Sequence, residues 1–84
     1  MSLMRAFGEK LQRLRLAAGL TPDGLAEACR VPRETISKAE AGCLEPALWL
    51  ILIFCDGLGV SPNKLIGGLP VPQERRNHYQ AGSS

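Results

Sequence analysis

Apolar residues along this 84-residue chain recur at three- and four-residue spacing, and no stretch alternates in the two-residue rhythm of a strand. The pattern predicts an all-α fold. Prolines mark where helices begin, at Thr21-Pro22, Val31-Pro32, Glu45-Pro46 and Ser61-Pro62, with Thr21 and Ser61 also suited to capping. Glycines mark where they stop, at Gly19, Gly42, Gly59 and Gly67. Between these marks fall five helices, over residues 5–18, 22–29, 32–41, 46–58 and 62–66.

Each predicted helix has a face to bury. In the first, Phe7, Leu11, Leu14 and Ala18 look inward, while Glu9, Lys10, Gln12 and Arg13 meet water. The second turns Leu25, Ala26 and Cys29 inward. The third buries only Ile36 and Ala39. Its Arg33, Glu34, Ser37 and Lys38 face outward, with Thr35 at the margin. A short helix with so little to bury and so many hydrogen-bonding groups needs a partner.

The fourth helix is apolar nearly all round. Leu48, Ile51, Leu52, Cys55 and Leu58 make a full core face by spacing. Trp49, Leu50, Ile53 and Phe54 are then left over, more apolar than a solvated surface should be. That surplus predicts a homodimer built on the fourth and fifth helices. The alternative is that Leu69-Pro70-Val71-Pro72 folds back over Trp49 within one chain.

The second and third helices, joined by a tight turn at Arg30-Val31, have the helix-turn-helix form, in which the second of the pair can enter a DNA major groove. Several segments carry a wider likeness: Phe7-Gly8-Glu9-Lys10-Leu11 with Leu14-Arg15, Gly19-Leu20-Thr21, Leu25-Ala26-Glu27, Thr35-Ile36-Ser37-Lys38 with Glu40 and Gly42, and Leu58-Gly59-Val60-Ser61. In that order and spacing, from about Phe7 to Ile66, the chain resembles the phage-repressor-like (Cro, lambda repressor, XRE) DNA-binding domains.

The resemblance implies a five-helix domain over residues 1–68, and the shift to a proline-bearing, polar composition after Gly68 predicts an extended, largely mobile tail over 69–84. It implies base-reading roles for Arg33, Glu34, Thr35, Ser37 and Lys38, and phosphate contacts from Arg13, Thr21, Arg30 and Lys38. It further implies a structural ion pair between Arg15 and Glu40. The chain also departs from the family. Pro22 stands where a phosphate-binding glutamine is usual, and Arg30 where the turn usually has glycine. The loop Cys43-Leu44-Glu45 offers a carboxylate instead of basic side chains. The expected partners are double-stranded DNA, a second copy of the chain and, as an alternative role, a protein such as the toxin of an antitoxin pair.

Composition narrows this picture more than it extends it. One domain is expected at this length. The net charge of +2 is weak for a nucleic-acid binder, so the placement of charge must matter more than its sum. Cys29, Cys43 and Cys55 are odd in number and far apart, and His78 is the single histidine, so neither a zinc site nor a disulfide framework is expected. Cys29 and Cys55 read as small core residues and Cys43 as an exposed turn thiol. With no cofactor motif, no metal cluster and no catalytic constellation, an enzyme is the poorest fit. No apolar run approaches membrane-spanning length, and a cytoplasmic protein is expected.

Overall fold

A computed structural model describes residues 2–70, which form five helices: α1 (Leu3–Ala17), α2 (Pro22–Cys29), α3 (Arg33–Glu40), α4 (Leu48–Leu58) and α5 (Pro62–Ile66). Among the described residues there are no strands. Residues 71–84, including Val71 and Pro72 of the alternative covering segment and most of the expected tail, lie outside that range.

The helix boundaries follow local chemistry. The α1 helix starts two residues earlier than the apolar pattern predicts, because the Ser2 hydroxyl accepts the Arg5 N–H at 3.1 Å. Thr21 caps α2 in the same way, accepting the Gly24 N–H at 3.0 Å, with Pro22 in the first turn. Ser61 caps α5 through the Lys64 N–H at 3.3 Å. Pro32 is not inside α3 as expected. Its extended backbone (φ −62°, ψ 148°) makes it the residue before the helix. Pro46 likewise precedes α4, which begins at Leu48. After α5 the left-handed residue is Gly68, while Gly67 is extended.

Phe7, Leu11, Leu25, Ile36, Phe54 and Leu65 are almost fully buried and form the centre of the core. The rings of Phe7 and Phe54 lie 6.2 Å apart at a tilt of 33°. This arrangement overturns the expected facing of α4. Leu50, Phe54 and Cys55 are the buried residues, whereas Leu48, Trp49 and Leu52 are exposed, at 72%, 61% and 49%. Leu50 and Phe54 therefore belong to the core and not to a dimer surface. Ile53 is half-buried against the core and Trp49 remains outside. The reason is physical. A helix apolar on every side has no polar stripe to fix its rotation, so packing decides: the Phe54 ring sits beside Phe7 in the core while the larger Trp49 ring stays outside. Ala18 is also exposed, just past the end of α1.

Gly8 sets how closely α1 approaches α3. A Cβ on Gly8 would fall against the Ala39 carbonyl oxygen and 2.6 Å from that of Glu40, a space that only glycine leaves open. The backbones of α1 and the end of α3 thus touch directly.

Candidate nucleic-acid interface

The turn between α2 and α3 is closed by an arginine in a glycine's conformation. Arg30 adopts φ 59° and ψ 43°, and it is the one non-glycine residue with positive φ among those described. The Val31 N–H donates to the Ala26 carbonyl at 3.0 Å and the Arg30 N–H to that of Glu27 at 3.2 Å, satisfying the end of α2. Both the backbone strain and the exposed side chain of Arg30 sit at the pivot of the two-helix unit.

With that turn in place, Ile36 and Ala39 anchor α3 from beneath. Arg33, Glu34, Ser37 and Lys38 are exposed on its outer side, and Thr35 is half-buried. The far end of α3 is held by charge. Arg15 is 6% exposed, its Nε 2.6 Å and its second terminal nitrogen 3.1 Å from the two oxygens of Glu40. Its remaining terminal nitrogen donates to the Leu20 carbonyl at 2.8 Å. Such a two-toothed, hydrogen-bonded pair fixes angle as well as distance. The Lys38 carbonyl continues the frame: it accepts the Cys43 N–H at 2.9 Å, and Gly42 (φ 77°) ends the helix.

Arg13 and Arg30 are exposed, and the Thr21 oxygen is already engaged as an acceptor at the α2 N-terminus. Cys43 and Glu45 are exposed in the loop after α3, with Leu44 half-buried between them. Two charged contacts escaped sequence reasoning. Asp23, in the first turn of α2, lies with its carboxylate 3.2 Å from the Arg33 Nε. Lys10 reaches across to α5 and donates to the Gly67 carbonyl at 2.9 Å. Lys38 and Glu34 also approach, at 3.9 Å, as their spacing on the helix allows. The Asp23 contact spans ten residues, so only the packed geometry of α2 on α3 could reveal it.

No group of three or more potential metal ligands occurs among the described residues. Burial pushes the thiols of Cys29 and Cys55 above their ordinary range, with Asp56 adding to the effect at Cys29. A cavity of about 380 Å³ between the start of α1 and the start of α4 is lined by Leu3, Met4, Phe7, Pro46 and Ile51, with Ser2 and Glu45 at its edge.

The model of one family, described as a helix-turn-helix domain, matches residues 6–65. The chain belongs to this helix-turn-helix family. Among solved structures, the restriction-modification controller protein C.AhdI from Aeromonas hydrophila is 32% identical, with a TM-score of 0.70 over 75% of this chain and 94% of that one. The clp gene regulator ClgR from C. glutamicum is 30% identical, with a TM-score of 0.74 over 86% of this chain and 99% of that one. A hypothetical transcription factor from Neisseria is 23% identical, with a TM-score of 0.73 over 93% and 85% of the two chains, a likeness of fold alone. No curated protein matches the chain. Within this helix-turn-helix domain, α2 and α3 are the paired helices, and the likeness to phage-repressor-like domains read from the sequence is shown. Among the described residues no helix is long and apolar enough to cross a membrane.

Proposed function

We propose that this protein is a sequence-specific, double-stranded DNA-binding transcriptional regulator, a small repressor that acts as a homodimer on an inverted repeat. The observation that carries the reading is the outer side of α3, where Arg33, Glu34, Ser37 and Lys38 stand in solvent on a helix anchored beneath by Ile36 and Ala39 and pinned at its far end by Arg15 and Glu40. Arginine matches guanine O6 and N7, glutamate accepts from cytosine N4, and lysine serves guanine or phosphate. Thr35, half-buried, borders that surface. Arg13, Thr21, Arg30 and Lys38 are assigned to phosphates, together with N–H groups at the start of α2 and α3. The controller and gene-regulator names of the similar structures support the regulatory role.

The dimer surface is assigned to Leu48, Trp49 and Leu52 of α4, with Ile53 at their edge and α5 alongside. Two subunits so joined would set their α3 helices in successive major grooves, about 34 Å apart. Selection of bound duplexes from a random pool at fixed salt, read with the mass of the protein in solution, tests this. Enrichment of a two-fold symmetric sequence by a dimer is the expected result.

A second reading, an interaction module or antitoxin-like partner with weakened DNA contacts, has one observation in its favour. The loop after α3 presents Glu45 and no cationic side chain, while the apolar face of α4 is exposed. Absence of any enriched duplex, with tight binding to a protein partner, would favour it.

A further inference from the structure

We propose that Asp23 is a specificity-determining positioning residue, which holds the Arg33 guanidinium by its inner side so that its outer edge alone meets a base. The inference rests on the DNA-reading role proposed for α3. Asp23 belongs to a different helix from Arg33, and its carboxylate Oδ1 lies 3.2 Å from Nε, the nitrogen nearest the Arg33 backbone. A guanidinium has two edges able to grip paired acceptors, one that includes Nε and one formed by the two terminal amino groups. The Asp23 carboxylate lies beside the first, within reach of charge attraction, and leaves open the second, which matches guanine O6 and N7.

Both side chains are largely exposed, at 64% for Arg33 and 74% for Asp23, so in free protein the contact contributes little to stability. Its importance arises at the groove. There water is displaced, and an arginine free to swing could take a phosphate as readily as a base. Asp23 works against that swing by offering a competing anion on the inner side of the guanidinium.

The test uses the full chain and the duplex enriched from a random pool. Asp23→Ala and Asp23→Asn are compared with the parent on that duplex and on duplexes changed one base pair at a time. The expected result is a three- to tenfold loss of discrimination, on the order of coupling within one side-chain network, confined to the base pair that Arg33→Ala also relaxes. Non-specific affinity should rise in both Asp23 variants, and Asp23→Glu should restore part of the discrimination. A merely structural role at the α2 N-terminus would weaken binding to every duplex alike. That uniform loss, or unchanged discrimination in a helical Asp23 variant, overturns the proposal. If Arg33→Ala relaxes no base pair, the base-reading role of Arg33 fails and the positioning role falls with it. If Arg33→Ala relaxes one and Asp23→Ala does not, only the positioning role fails.

Discussion

Removing one partner from the Arg15–Glu40 pair leaves a charge stranded at the junction of α1 and α3. The two side chains are 8% and 10% exposed, so Arg15→Ala should cost about 3–5 kcal/mol, read as a lower midpoint in chemical denaturation. Arg15→Lys should recover little, because an ammonium cannot span both Glu40 oxygens and the Leu20 carbonyl. Arg30 makes the opposite case. Relief of the left-handed strain, about 1–2 kcal/mol, is offset by the added freedom of an unfolded glycine, about 0.5–1 kcal/mol. Arg30→Gly should therefore stabilise the fold by at most about 1.5 kcal/mol. If Arg30 meets a phosphate, the same variant should lower the salt dependence of DNA binding by about one unit of slope. Denaturation and a salt titration of binding read the two effects separately.

Among the helices, α1 and α3 are fitted backbone to backbone at Gly8, and α2 and α4 come nearly as close where a Cβ on Gly57 would fall against the Cys29 sulfur. Gly8→Ala should cost about 1–3 kcal/mol, because its obstacle is main chain that cannot rotate aside. A denaturant midpoint unchanged from the parent would contradict this fit. The buried thiols add a pH effect. Cys29 and Cys55 hold their protons to higher pH in the folded chain than in the unfolded one. Stability should thus be level below the ordinary thiol value of 9.0 and decline as pH rises through it, in midpoints measured across that range. Capping signals made the order and number of helices legible from sequence, and the outward set on α3 followed from two buried positions, Ile36 and Ala39. The rotation of α4 was not legible, since nine of its eleven residues from Leu48 to Leu58 are Leu, Ile, Phe, Trp or Cys and spacing favours no side. Nor was the Asp23–Arg33 contact, which depends on how two helices cross.

For the molecule as a whole, the core and the exposed apolar face divide along α4, and substitutions separate their roles. Phe54→Ala should cost about 3–5 kcal/mol and unfold much of the population, as a buried ring lost from the centre of a small core would. Trp49→Asp should leave the helicity of the folded chain close to the parent, yet convert a dimer to a monomer in sedimentation and weaken binding to a two-half-site duplex. If Trp49→Asp changes neither mass nor binding, pairing through this face of α4 is wrong. Trp49 is also the only indole in the sequence and is 61% exposed. Its emission in the lone folded subunit should already be that of a water-bathed ring, so fluorescence will scarcely register melting. A shift toward the blue, rising with concentration, would instead give an unlabelled optical gauge of whatever comes to cover it.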